Sequence, residues 1–423
     1  MADSTTNQTQ KMTRWLDGCV ERFRCIGPEC EESCCNGWQI HIDQAALAVL
    51  RVLNEDDVHS TLNENLISLP GARAAMQAGV LRLRANGDCP FLREDKLCSI
   101  QAAHGEAPMP VGCRVYPRVH HRVDGSMLSG LSLSCPEAAR VVLGDAGQRA
   151  EPRLPERGDD CLVSVLGQLP ECGDLLSIYW PLRRVHEAIV REQRLPFAER
   201  LRRIGLLARR LDAARDGNAA AALREFCQEW RGEDRRGDAA AAPEELSEKL
   251  LGFLLAATAA ALRFAAGNAR FCALTGRVLQ GLGITPAVEN PTELRARCER
   301  LRSEALEPFL APHPQWMEQF LWNEMVRTNY PYFVSDAKSA PPQTANDAGG
   351  SDTAFARLAL EWAWVRLYLL GLAGCGELTE ENAARCVQSL SRAVFSHTKE
   401  WDALGAAMAQ MMKVAPLGEL LRL

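Results

Sequence analysis

Cysteines at close spacing are the residues of this sequence most able to do chemistry. Four lie within eleven residues, in FRCIGPECEESCCNGW, and four more stand beside Gly and Pro in or near GDCPFL, DKLC, VGCRVYP and LSLSCPE. Thiolates are soft ligands that suit zinc or an iron–sulfur cluster. We therefore predict one metal-binding group made of Cys25, Cys30, Cys34, Cys35, Cys89, Cys98, Cys113 and Cys135.

The local sequence suggests how these thiols are presented. Cys30 and Cys34 are four residues apart, so a helix there would place both on one face. The turn GDCPFL can direct backbone N–H groups at the sulfur of Cys89. An alternative stays open, because free cysteine also packs as a small buried hydrophobe. We give Cys19 no role, and we expect simple packing of Cys161, Cys172, Cys227, Cys272, Cys298, Cys375 and Cys386.

The identity of the metal is not decided by spacing. Zinc would require four ligands in a closed tetrahedron, and the eight thiols could make two such sites. No pair of histidines at chelating distance accompanies them, since His120 and His121 are adjacent. A [4Fe–4S] cluster would need four thiolates, or three with one open iron. The C-x3-C-x2-C spacing of radical S-adenosylmethionine enzymes is absent, because Gly37 stands at the third position.

Length, charge and hydropathy exclude several other classes of protein. A chain of 423 residues needs no crosslinks to hold its cores together. The first twenty residues lack an apolar run behind a basic start, so we predict a cytoplasmic protein with reduced thiols. A net charge of −6, with both signs interspersed, argues against general nucleic-acid binding. The most apolar window, 250–262, is too short to cross a membrane and is predicted to be a buried helix.

The elements that must hold these residues are mostly helices. We predict a mainly α fold, in which a Cys-rich metal-binding region (19–142) packs on a larger all-helical region (161–423). A Pro-containing linker at 143–160 and a polar surface loop at Asp336–Asp352 interrupt it. Only GSMLSGLSLSC resembles a strand. Helical composition and spacing predict helices at Leu175–Glu192, Phe197–Ala214, Ala219–Arg231, Glu244–Ala266, Pro291–Glu307, Gln315–Thr328, Ala354–Ala373, Glu380–Ser396 and Trp401–Val414.

The cysteine-bearing segments resemble a known family. FRCIGPECEESCCNGWQIHID, GDCPFLREDKLCSIQ, CRVYPR and LSLSCPEAAR, in this order, resemble the N-terminal signature of FliB, the flagellin lysine-N-methylases. The core is also similar to YkgJ-type zinc- or iron-chelating domains. MEQFLWNEMVRTNYPYF, 317–333, resembles an aromatic helix of the FliB C-terminal part. Besides the eight cysteines, the matched residues are Trp38, Asp43, Pro90, Phe91, Arg114, Tyr116, Pro117, Pro136 and Glu137.

The resemblance implies a function for the chain. It implies a cytoplasmic enzyme that transfers methyl groups from S-adenosylmethionine to surface lysines of flagellin, with a [4Fe–4S] cluster on some of the cysteines. Zinc remains the alternative metal. No nucleic-acid or membrane partner is expected. Two other functions stay open, namely a metal-binding or metal-delivery protein without enzyme activity, and a helical scaffold with structural zinc.

Methyl transfer to lysine also sets requirements on the catalytic residues. The ε-ammonium has a reference pKa of about 10.4, so its proton must be removed and the amine aligned with the methyl group. Within the matched segments, Arg114 is our candidate for holding a carboxylate or neutralising a cluster. Tyr116 is the candidate for contacting a sulfur or positioning the amine. Asp43 and Glu137 are weighed as bases, with helix capping or pairing with arginine as the alternative.

Overall fold

The computed structural model describes most of the chain, and helices predominate in it, as predicted. The described residues form two compact units, taken from Met1–Ala138 with Ala150–Ser164 and from Ala139–Arg149 with Val165–Leu423. The predicted linker at 143–160 and loop at Asp336–Asp352 fall almost entirely outside the described residues. Those residues are 14–16, 18–53, 56–69, 78–123, 126–144, 163–165, 177–214, 218–233, 247–284, 291–332, 350–395 and 398–414.

Two small sheets lie in the first unit. One has the order β1-β6-β5-β7, with β1 parallel to β6 and β5 antiparallel to β6. The other has the order β2-β4-β3 and is antiparallel. The strands are β1 (Arg14–Leu16), β2 (His41–Ile42), β3 (Leu66–Ser68), β4 (Gly79–Leu81), β5 (Arg118–Val123), β6 (Ser126–Leu131) and β7 (Val163–Val165).

The sequence predicted only one of these strands. β6 lies within GSMLSGLSLSC, and its buried residues confirm that interpretation. The other strands were missed because most of them span only two or three residues, too few to show an alternating pattern. The unit also contains α1 (Gly18–Arg22), α2 (Gln44–Leu50), α3 (Asp56–Asn65), α4 (Ser99–His104) and α5 (Val111–Val115), and α6 (Pro136–Leu143) runs from this unit into the second.

The second unit is helical in the part that the structure describes beyond Ser177. Its helices are α7 (Tyr179–Val190), α8 (Phe197–Ala213), α9 (Ala219–Glu233), α10 (Glu248–Phe264), α11 (Ala269–Gly281), α12 (Pro291–Leu301), α13 (Glu307–Leu310), α14 (Gln315–Arg327), α15 (Ser351–Gly374), α16 (Glu380–Leu390) and α17 (Thr398–Val414). Two of these, α11 and the short α13, were not predicted. The apolar Phe271, Leu274 and Val278 of α11 recur at helical spacing behind the cap Asn268 and would have revealed that helix.

The helix α15 forms the centre of this unit. Every residue from Leu358 to Leu372 is buried, as expected for a helix that is apolar nearly all round. It contacts α8, α11 and α17, among others. The apolar segment at 250–262 is part of α10, whose Leu250, Leu254 and Ala261 are buried, as predicted. Among the described helices, none combines the length and the apolar character needed to cross a membrane.

Glycines allow α11 and α15 to cross at close range. A Cβ atom on Gly281 would overlap the carbonyl oxygen of Gly371, and one on Gly374 would overlap the carbonyl oxygen of Gly281. A Cβ atom on Gly371 would lie 2.6 Å from the carbonyl oxygen of Val278. The two backbones are therefore in direct contact, and any larger side chain must push the helices apart.

We expect Gly281→Ala to destabilise the protein. The added methyl group meets backbone atoms that cannot rotate away, so the free energy of unfolding should fall by about 1–3 kcal/mol. Gly276→Ala is the matched control in the same helix, because its Cβ would meet nothing within 4 Å. Replacing a helical glycine there should raise stability by about 0.5–1 kcal/mol. Urea unfolding of both variants measures the difference, and equal stability would contradict the close crossing.

Candidate functional site

Backbone hydrogen bonds join the segments that carry the predicted metal ligands. The N–H of Cys89 donates to the carbonyl of Cys35 at 2.7 Å, and that of Gly37 donates to Gly87 at 3.0 Å. The Nζ of Lys96 donates to the carbonyl of Cys30 at 3.1 Å. GDCPFL and DKLC are therefore held against the first cysteine cluster. The segment from Cys30 to Cys34 is not helical, so the expected helical face is wrong and turns present these thiols instead.

Cys34 is the common neighbour of this group. It is close enough to influence the pKa of six other thiols, those of Cys30, Cys35, Cys89, Cys98, Cys113 and Cys135, and Cys25 likewise influences Cys30. Cys35, Cys98 and Cys113 also pack on the same apolar cluster that contains Cys89. The fold thus brings the eight predicted cysteines into one electrostatic group, although they span more than a hundred residues of sequence.

Six thiols of the group have a raised pKa, which favours their neutral form, namely Cys30, Cys35, Cys89, Cys98, Cys113 and Cys135. Burial raises the pKa of Cys89 to about 11 and that of Cys135 to about 12. The pKa of Cys35 is raised by its hydrogen bond with Cys34 and by burial, and burial also raises that of Cys113. Without a cation, these cysteines are therefore protonated at neutral pH. A metal ion would have to displace their protons, which is the usual course of thiolate ligation.

Backbone amides face several of the sulfurs. The N–H of Phe91 works against burial and lowers the pKa of Cys89, as the GDCPFL turn predicted. Two amides at the start of α4 act likewise on Cys98, and two at the start of α6 act on Cys135. Such donors favour thiolate and would also solvate cluster sulfur. Within the described residues, however, no three Cys, His, Asp or Glu side chains converge as a metal site. The donor chemistry fits a sulfur-ligated metal, and ligation stays a prediction.

The predicted catalytic residues lie beside this group. The ring of Tyr116 stacks on Trp38 with centroids 6.4 Å apart, and Trp38 Nε1 donates to the carbonyl of Cys34. The Tyr116 hydroxyl lies 3.0 Å from Ser134 Oγ, next to Cys135. Tyr116 therefore connects two cysteine-bearing turns. Arg114 Nη1 lies 3.5 Å from the carbonyl of Ala107 in the Pro-rich turn. The catalytic roles of both residues stay predictions.

Asp43 has the structural role that was weighed as its alternative. One carboxylate oxygen caps α2 by accepting the N–H of Ala46 at 2.8 Å, and the other accepts the N–H of Val111 at 2.9 Å. Its charge also raises the pKa of Cys113. Both oxygens are thus used in joining α2 to α5, which leaves a poor base. Glu137 lies in the first turn of α6, two residues after Cys135, and its N–H faces that thiol.

The isolated cysteines of the second unit behave largely as small hydrophobes. Cys298 and Cys386 are fully buried, and burial raises the pKa of Cys298 to about 11. Cys272 is half-buried beside the carbonyls of Ala265 and Ala266. Cys161 and Cys172 lie outside the described residues. Among the described residues, these thiols form no group that could hold a metal ion.

A second polar group, inside the second unit, was not predicted from the sequence. We name it the buried polar set, and each of its side chains is at most 5% exposed. Three members share one face of α7 at a spacing of four and three residues, and two follow α14. Asn329 ends α14 in the left-handed conformation, with φ of 54°. The set consists of Tyr179, Arg183, His186, Asn329 and Tyr330.

The buried polar set is linked internally but not fully paired. The Tyr179 hydroxyl donates to Asn329 Oδ1 at 2.6 Å, and Arg183 donates to the same oxygen at 3.3 Å and to the carbonyl of Met325 at 3.2 Å. His186 packs its ring on Tyr330 with centroids 5.0 Å apart. A polar stripe on the otherwise apolar face of α7 was the available sequence signal. Asn329 and Tyr330 lie in 317–333, the segment with the family resemblance.

A carboxyl pair lies between α14 and α15. Glu324 is fully buried and bonded to Arg327 Nε at 2.6 Å. Burial and the charge of Glu324 raise the pKa of Glu361 well above its usual range. Burial between these helices therefore favours the neutral form of Glu361. The pair is a further feature of the second unit that sequence patterns did not reveal.

Comparison with known proteins identifies similar chains. Residues 185–423 match the family model described as the FliB lysine N-methylase C-terminal domain. Over 127 residues, 30% of this chain, it is 32% identical to the lysine-N-methylase of Salmonella typhimurium (strain LT2) and to flagellar biosynthetic protein FliU of Salmonella muenchen. These matches cover 31% of the lysine-N-methylase, about a third of its length, and 74% of FliU. No solved structure matches the chain significantly.

Proposed function

Because the chain belongs to the FliB family of lysine N-methylases, we propose that it methylates lysine side chains of a protein. The observation that carries the proposal is the match of residues 185–423, more than half of the chain, to the C-terminal domain of that family. The similarity to a Salmonella lysine-N-methylase supports the same reaction. The name of the similar FliU, a flagellar biosynthetic protein, supports flagellin as the substrate.

We propose S-adenosylmethionine as the methyl donor and the cytoplasm as the compartment. The donor is the one that the family resemblance implies, and the free thiols of the described cysteines suit a reducing environment. The protein must bind the amine of the substrate after loss of its proton and align it with the donor. Tyr116, bonded to Ser134 and stacked on Trp38, is proposed to position the amine. Arg114 is proposed to hold an anionic group beside it.

The cysteine group is proposed to hold a [4Fe–4S] cluster, with zinc as the alternative. Thiols held around Cys34 and backed by the amides of Phe91 and of the first turns of α4 and α6 fit sulfur-ligated iron. When bound, such a cluster would supply folding energy to the first unit and a centre for electron transfer. The eight cysteines, by their own contacts, would orient GDCPFL, DKLC and CRVYPR around it.

Mass spectrometry of flagellin tests the proposed activity. The full chain, reconstituted with iron and sulfide, should add methyl groups to lysine-containing flagellin peptides when S-adenosylmethionine and a low-potential reductant are present. Arg114→Ala should reduce this transfer by about tenfold or more, since a positioned charge-assisted bond is lost, while iron content stays near that of the wild type. Arg93→Ala is the control, because Arg93 pairs with Asp95 at an exposed site of the same unit.

Each result of this experiment has a distinct meaning. An unmodified flagellin after incubation with metal-loaded protein, with or without reductant, would contradict the methylase and favour the metal-binding alternative. If Arg114→Ala lost iron and activity equally, Arg114 would have a structural role, holding the turn that contains Ala107.

A further inference from the structure

The buried polar set contains hydrogen-bonding groups that the described residues do not satisfy. Both ring nitrogens of His186, the Nδ2 of Asn329 and the hydroxyl of Tyr330 are buried without a hydrogen-bond partner among the described residues. Each such group costs about 1–3 kcal/mol when it is left unpaired. Three neighbouring residues with the same deficit indicate that a group outside the described residues pairs with them.

The orientation of the Asn329 amide follows from Arg183. A guanidinium can only donate hydrogen bonds, so the amide atom that faces Arg183 and the Tyr179 hydroxyl must be Oδ1. The NH2 group of Asn329 then points away from both. Burial and the charge of Arg183 lower the pKa of His186 well below its usual value, so its ring is neutral and offers one N–H. The Tyr330 hydroxyl supplies another donor.

The charge of the set has no anionic partner among the described residues. Arg183 is 5% exposed, and its contacts are the neutral oxygens of Tyr179, Asn329 and Met325. Its guanidinium also lies over the rings of Tyr179 and Trp322, at 5.5 and 5.8 Å from their centroids. The carboxylates whose charges reach Tyr330 are Asp212 and Asp352. Asp212 accepts two N–H groups at the start of α15, at 2.7 and 2.9 Å. Asp352 Oδ1 lies 3.5 Å from Arg209 Nε and has no hydrogen-bond partner among the described residues. Neither carboxylate pairs with Arg183, and a buried cation that has only neutral partners is costly.

A cation and several free donors that lack an acceptor form a site for an anion. A carboxylate fits best, because it is planar, accepts several hydrogen bonds and pairs readily with a guanidinium. The residues of the set are buried, which favours the carboxylate of a small molecule. We propose that Arg183, His186, Asn329 and Tyr330 bind the α-carboxylate of the methyl donor and of its product. This assignment rests on the proposed function, in which S-adenosylmethionine is the donor.

Calorimetric binding of the stable product S-adenosylhomocysteine to the full chain tests the assignment. The wild type should bind it much more tightly than its decarboxylated analogue, S-adenosyl-3-thiopropylamine. Tyr330→Phe removes only a hydroxyl. It should weaken the binding of S-adenosylhomocysteine by about tenfold or more, because one hydrogen bond to a charged group is lost. The affinity for the decarboxylated analogue should be unchanged, so the variant narrows the difference between the two ligands.

Tyr368→Phe is the matched control. Its hydroxyl is equally buried but lies 2.9 Å from Thr275 Oγ1, so the variant should lower stability and leave both affinities unchanged. Ligand-free Tyr330→Phe should unfold at the temperature of the wild type or above it, because its hydroxyl has no partner to lose. A loss of stability in Tyr330→Phe with unchanged affinity would assign the hydroxyl to an internal water and overturn the proposal.

Two further results would distinguish an error in the carboxylate site from an error in the proposed methyl donor. If the wild type binds S-adenosylhomocysteine and its decarboxylated analogue equally, the carboxylate site is wrong while the methyl donor stands. If the wild type binds neither compound, the donor itself is wrong, and the site assigned to it falls with the donor.

Discussion

Cys34→Ser is expected to remove most of the bound iron and to destabilise the first unit. Cys34 is the neighbour whose charge reaches the thiols of Cys35, Cys89 and Cys113, so its loss opens the centre of the group. Because the binding energy of a cluster is also folding energy, the metal-free unit should unfold at lower temperature. Iron and sulfide content per chain, visible absorption and thermal unfolding measure the effect.

Cys89→Ser and Cys113→Ser should repeat this result from other parts of the sequence. Cys272→Ser is the control, because Cys272 is a half-buried thiol of the second unit beside backbone carbonyls. It should keep the full metal content. Full iron loading in all three variants of the first unit would show that the ligands are other residues. If the wild-type protein is colourless and holds stoichiometric zinc, and the same variants lose that zinc, the metal is zinc and not an iron–sulfur cluster.

Arg200→Met is expected to lower the free energy of unfolding by about 3–5 kcal/mol. Arg200 Nη1 lies 2.6 Å from Glu318 Oε1, and both side chains are nearly buried. The same guanidinium donates to the carbonyls of Val190 and Leu195, both at 2.9 Å. It therefore joins the end of α7 to α8 and α14. Methionine would leave the Glu318 carboxylate buried without its partner, which is the main cost.

Urea unfolding of the full chain measures this loss. Arg194→Met is the matched control, because its ion pair with Glu192 involves an arginine side chain that is 76% exposed, and it should cost about 0–1 kcal/mol. The double variant Arg200→Met, Glu318→Leu should recover part of the stability, since it removes the stranded charge as well. A single variant as stable as Arg194→Met would show that the buried pair contributes little.

The sequence by itself determined where most helices lie, and it predicted the cysteine group as a metal site. Both depend on local information. Thiols beside Gly and Pro turns favour a ligand-bearing loop, and apolar residues at helical spacing indicate α10 and α15 without knowledge of their neighbours. The FliB resemblance was read from the same local segments, and the match of residues 185–423 confirmed it.

Only the tertiary structure decided how these residues meet. Cys34 and Cys113 are neighbours because turns and backbone hydrogen bonds, not the expected helix, carry the first cluster to the later loops. Tyr179 and Asn329 bond across 150 positions of sequence. Tyrosine and asparagine are ordinary residues on helix surfaces, so the sequence alone gave no sign of this contact. The contact arises from the packing of α7 against the end of α14, and burial then leaves the Nδ2 of Asn329 without an acceptor among the described residues.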